Sequence, residues 1–192
     1  MQKYAAACEQ NAKYEEATLA YNRALELAKN SIHHSAERAF DFARIVTDNA
    51  KNFSPPQVKE FTQKALREIS EASKEFASKE VRIKSNLASA CLYFSKNDKL
   101  SASNSLRDAE KMYDKYQDEL SEDVTLALAK SYSHLQKEDK SESILKQLVE
   151  EHGSDDNLMN QVDKFVEDPL SEQGKNRTQE IIKTGISYYN SE

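Results

Sequence analysis

Two stretches of the chain spell nearly the same helical hairpin, 39 residues apart. Ala90-x-x-Tyr93 followed by Ala102-x-x-x-Leu106-x-x-Ala109 is answered by Ala129-x-x-Tyr132 followed by Ser141-x-x-x-Leu145-x-x-Leu148. The step is 39 from Ala90 to Ala129 and again from Ala102 to Ser141, so the register holds through both helices. A fixed period of this size marks stacked supersecondary repeats, each burying its apolar face on its neighbours. Such an arrangement favours a binding surface over a catalytic pocket.

Composition agrees with that architecture. Three Gly and three Pro in 192 residues are too few for the turns of a sandwich or barrel. Ala, Leu, Glu, Lys, Gln and Ser dominate, and most of these are good helix formers. The expected fold is all-α, an α-α superhelix of antiparallel hairpins. The formal net charge is −6, with Lys and Arg interspersed among Asp and Glu, so no phosphate-tracking stripe and no nucleic-acid partner are expected. No apolar run approaches the ~18 residues of a membrane span, and no charged n-region leads into an apolar h-region at the start. Cys8 and Cys91 are isolated thiols without a disulfide framework, which suits a reducing, cytoplasmic setting.

Along the chain, Tyr4, Ala5 and Cys8, then Tyr14, Ala17, Tyr21, Ala24 and Leu25, recur at three- and four-residue spacing. They predict helices over about 2–12 and 15–30 with a break near Asn11–Lys13. Ala39, Phe40, Phe42, Ala43, Ile45 and Val46 predict an apolar helix from about 35 to 51. Ser54 reads as an N-cap with Pro55 at the first helical position, opening a helix that reaches about residue 76. Gly153 reads as a helix stop, and Asp155 or Asp156 as the cap of a helix carrying Leu158, Met159, Val162, Phe165 and Val166. Asp168-Pro169 ends it. Ile181, Ile182, Gly185, Ile186, Tyr188 and Tyr189 then open another apolar helix, with Gly185-x-x-Tyr188 in the pattern of Ala90-x-x-Tyr93. The whole of 1–192 reads as one helical-repeat domain with repeats at about 1–31, 32–78, 79–117, 118–153 and a truncated 154–192. It reads as a fragment of a longer array.

No chemistry-bearing motif emerges. His33 and His34 are adjacent, so on a helix they point about 100° apart and cannot share a metal well. They suit a turn or hairpin junction. His134 and His152 lie on polar helix surfaces, and the paired carboxylates Glu15-Glu16, Glu150-Glu151 and Asp155-Asp156 suit helix faces or first turns. No phosphate loop, nucleophile elbow or zinc-hydrolase helix occurs. The expectation is no catalytic residue, no metal and no cofactor.

The pattern of small residues at Ala5, Ala90, Ala129 and Gly185, with Tyr93, Tyr132 and Tyr188 three positions on, resembles tetratricopeptide repeats. Ala17, Tyr21 and Ala24, and Ala102, Leu106 and Ala109, fit the second helices of that pattern, while the usual early Trp and terminal Pro are absent. The order of elements is similar to the output half of bacterial response regulators that join a CheY-like receiver to such an array. The segments that carry this are Ser31-Ile32-His33-His34, Ala39–Val46, Leu148-Val149-Glu150-Glu151-His152, Leu158–Phe165 and Ile181–Tyr189. The resemblance implies a scaffold of two-component signalling, with the phosphoacceptor outside this chain.

In repeat hairpins the first helices line the inner side, where partners lie. Leu87, Cys91 and Phe94 in one repeat, and Leu126, Lys130 and His134 in the next, are the candidate groove residues. Leu87, Phe94 and Leu126 would form an apolar strip with a basic edge at Lys130, suited to an amphipathic helix or an extended peptide. The competing reading packs the same side chains against neighbouring repeats. The expected partner is a protein or peptide, with homodimerisation left open. A repeat adaptor without a receiver, or a receptor that senses a peptide in its groove, are the alternative functions.

Overall fold

The computed structural model describes residues 7–8, 10–11, 13–27, 32–74 and 77–167. Among them every regular element is helical: α1 Tyr14–Leu27, α2 Ile32–Asp48, α3 Pro55–Ala72, α4 Lys79–Ser95, α5 Lys99–Tyr116, α6 Glu122–His134, α7 Glu138–His152 and α8 Asp156–Glu167. The chain divides into two compact units, residues 1–117 and 118–192.

In the first unit, α2 is the centre, packing against α1, α3 and α4. Its buried face reads Ala36, Ala39, Phe42, Ala43, Ile45 and Val46, a spacing of three and four that makes one stripe of the helix. Alanines at Ala17 and Ala20 of α1 and Ala65 and Ala72 of α3 join the same core, so small side chains let the backbones approach closely. Cys8, from the helical turn ahead of α1, also joins this core. That turn ends where expected: Asn11 folds its side-chain amide onto the Ala7 carbonyl at 2.7 Å, and Lys13 N–H donates to the Cys8 carbonyl at 2.8 Å.

The cap of α3 is a reciprocal box. Gln57 accepts from the Ser54 backbone N–H at 2.9 Å, while the Ser54 side chain accepts from the third helical N–H. Phe53, just before the cap, meets Phe61 edge-on at 5.3 Å. α3 ends at Ala72, earlier than the residue 76 expected; Phe76 lies outside the described residues. α2 begins at Ile32, earlier than expected, so His33 and His34 belong to its first turn. α4 and α5 form a hairpin opened by Ser78, whose hydroxyl accepts from Val81 N–H at 3.2 Å.

In the second unit, α6 and α7 form a hairpin and α8 packs on both. Leu126, Ala129, Leu145, Leu148, Leu158 and Val162 make the core, with Ile144, Met159 and Phe165 at its margin. Asp155 caps α8, accepting from the N–H groups of Asn157 at 2.9 Å and Leu158 at 3.0 Å. The expected helix around Ile181–Tyr189, with Gly185, falls outside the described residues, as do Ala5 and Pro169.

Candidate functional site

The repeated hairpin is visible down to single hydrogen bonds. Tyr93 and Tyr132 sit three residues before the C-cap and offer their carbonyls to Asp98 N–H at 2.9 Å and Lys137 N–H at 2.8 Å. The N–H groups of Asn97 and Gln136 close onto the carbonyls of Phe94 at 2.8 Å and Ser133 at 2.9 Å. Asn97 and Gln136 take φ of 65° and 59°, the left-handed conformation of a Schellman motif. These equivalences keep the 39-residue step. The small residues at the hairpin contact, Ala90, Ala129 and Ala109, have no exposed surface.

The two hairpins differ at their second caps. Asp98 accepts from Ser101 N–H at 3.1 Å, and that bond, the Ser101 hydroxyl and nearby Lys96 hold its carboxyl below the usual carboxylate range. Lys137 stands in the equivalent place and makes no side-chain cap.

The six candidate groove residues divide by burial. Leu87 and Leu126, each 2% exposed, belong to the interior, and Cys91 at 8% is buried as well. The apolar strip is therefore not an open surface. Leu126 packs with Ala129, Leu145, Leu148, Leu158 and Val162, which consumes it as core. Phe94 and His134 are half-buried, and Lys130 is exposed. The Lys130 ammonium lies 5.7 Å from the Phe165 ring, a cation–π contact between α6 and α8 that the sequence pattern did not pair.

Around His134 the electrostatics follow from burial. Desolvation holds its imidazole below the ordinary histidine value. Glu138, at the start of α7, is pushed above the usual carboxylate value by desolvation; the Ser133 hydroxyl, donating at 3.4 Å, opposes this and Asp139 reinforces it. The depression lined by Asp139, Glu142, Ser143 and Lys146 is an open patch on the surface of α7.

Among the described residues, no three His, Cys, Asp or Glu side chains gather where a metal could be held. Cys8 donates to Glu16 at 3.8 Å, and neither Cys8 nor Cys91 is in a disulfide. No helix among the described residues is long and apolar enough to cross a membrane. The sequence pattern also passed over Arg38, whose Nη1 donates to the Ala24 carbonyl at 3.3 Å and ties α2 to α1. The pair Glu37-Arg38 is the only Glu-Arg dipeptide in the chain.

Comparison with known proteins corrects the family resemblance. No curated protein and no solved structure matches the chain. The family that matches, over residues 35–164, is Alpha-E, described as a predicted alpha-helical domain with a conserved ER motif. This is neither a tetratricopeptide-repeat family nor a receiver-linked response-regulator family, so the resemblance to those proteins does not stand. It rested on apolar spacing, and helical hairpins of any lineage need small residues at their contacts and a bulky residue near the turn. Glu37-Arg38 falls inside the matched residues. With about two thirds of its length within that match, the chain belongs to the Alpha-E family.

Proposed function

We propose that this chain is a non-catalytic scaffold of stackable helical hairpins, solenoid-like in its packing, that works by contact with a protein or peptide partner. The observation that supports the reading best is the duplicated hairpin turn, in which Asn97 and Gln136 share one left-handed conformation and one hydrogen-bond pattern. A repeat that reproduces its turn and its small-residue contact preserves a packing unit while leaving outward positions free to vary. Lys130 and His134 of the second unit are the contact positions in this reading, because Leu126 on the same helix is spent on the interior. An ammonium and an imidazole along α6 suit a partner segment with acidic side chains.

The test is site-specific photo-crosslinking in the native cell extract. A photoreactive residue placed at Lys130, and separately at His134, is expected to capture the same polypeptide, whereas one at exposed Lys111 of α5 captures none. Equal capture at all three positions, or none at Lys130 and His134, would sink the reading.

A further inference from the structure

His152 closes α7, and both of its ring nitrogens face carboxylates. Nδ1 lies 3.7 Å from Glu122 in the first turn of α6, and Nε2 lies 3.9 Å from Glu151, its neighbour on α7. The side chains of His152, Glu122 and Glu151 are 35%, 48% and 56% exposed, so protons reach all three from solvent. The backbone of His152 belongs to the same junction: its carbonyl accepts from Asp155 N–H at 2.9 Å in the turn that leads into α8. Further carboxylates stand at this end on every element: Asp118, Glu119 and Asp123 around the start of α6, Glu150 on α7, and Asp155 and Asp156 where α8 begins. The last basic residue before His152 on α7, Lys146, is paired with Glu142 at 3.2 Å.

A neutral imidazole has one N–H and one lone pair, so between two carboxylates one nitrogen must turn its lone pair toward a negative oxygen. Only the imidazolium presents hydrogen on both sides and attracts both. The helix ends act in the same sense, because the last carbonyls of α7 favour a cation and the first turn of α6 favours a carboxylate. We propose that His152 is a proton-operated latch that pins the start of α6 to the end of α7 when charged and lets go when neutral. The attraction is present in mild acid, where the ring is charged and the glutamates are still ionised, and is lost as pH rises through neutrality. The positions 39 residues earlier are Tyr113 and Ile83, so the α4–α5 hairpin carries no such pair. The latch stands whether or not α6 is a contact surface for a partner.

The test is a double-mutant cycle on the full chain: the unaltered protein, His152→Gln, Glu122→Gln and the double variant. Urea unfolding is followed through the backbone amide resonances of α6 at about pH 5.5 and about pH 8, on either side of the free imidazole value. His134, whose desolvation favours the neutral ring and so acts in the opposite direction, is common to all four proteins and cancels. The coupling between positions 152 and 122 is expected to change the unfolding constant roughly threefold at the lower pH, the size of an exposed ion pair, and to vanish at the higher. Salt of about 1 M at the lower pH is expected to shrink it. Equal coupling at both pH values overturns the proposal, because the contact would then be uncharged packing. So does the absence of coupling at the lower pH, which would leave His152 a solvated side chain.

Discussion

The hydroxyl of Ser141 donates to the carbonyl of Ala129 at 2.9 Å, buried between α6 and α7. The positions 39 residues earlier are Ala102 and Ala90, where no hydroxyl exists to make the bond. At this position one hairpin therefore has a cross-helix hydrogen bond that the other cannot make. Ser141→Ala is expected to lower stability by about 1 kcal/mol, the net value of such a bond. Urea unfolding followed by circular dichroism measures it. A midpoint unchanged by the substitution would mean that burying the hydroxyl cancels what its bond contributes.

Gln136 and Asn97 occupy the same left-handed position, but they tolerate it differently. Asn is among the few side chains that enter this region readily, whereas Gln carries the ordinary penalty of a Cβ. Gln136→Gly is expected to raise stability by about 0.5–1 kcal/mol, after allowing for the extra freedom glycine gives the unfolded chain. Asn97→Gly is expected to change it by clearly less. Paired thermal denaturation curves test the ordering; an equal gain at both sites would refute it.

Lys137 occupies the N-cap position of α7 without capping it, while its counterpart Asp98 caps α5. Lys137→Asn is expected to add about 1 kcal/mol by giving a free helix N–H an acceptor. Asn rather than Asp is the informative substitution, because Glu138 and Asp139 already crowd the first turn with negative charge. The same urea titration reads it.

His134 makes the stability of the chain depend on pH. Its folded value lies below its free value of 6.5, so between the two the unfolded chain binds more protons and unfolding gains ground as pH falls. The contribution is complete above pH 6.5 and is lost on acidification through the folded value. Glu138 acts in the opposite sense. Its folded value lies above 4.5, so acidification through that value restores stability. Asp98, held low, loses its contribution only in stronger acid. Melting temperature measured from pH 7.5 to 5.5 is expected to fall, and to fall less in His134→Gln. Parallel slopes for the two proteins would exclude His134 as the source.

Local chemistry explains which parts of this fold are legible in the amino-acid order. Ser54-Pro55 with Gln57, Asn11 and Asp155 all act within four residues of themselves, so their caps and breaks are readable from neighbours alone. The 39-residue period gave the α4–α5 and α6–α7 hairpins for the same reason, because register within a repeat is a local property. What spacing does not specify is which apolar side chains remain open. Leu87 and Leu126 share the periodicity of surface candidates, yet both are buried, Leu126 among side chains of α7 and α8. Arg38 was invisible for a related reason: its partner is a backbone carbonyl 14 residues away, which no side-chain pattern marks.

The three-sided packing of α2 has a kinetic corollary. A helix that touches α1, α3 and α4 cannot release its amide protons by fraying alone, because each neighbour must first withdraw. Deuterium should therefore enter Ala39–Val46 more slowly than the flanking helices of the same unit. A protease given the native chain should leave that stretch until last.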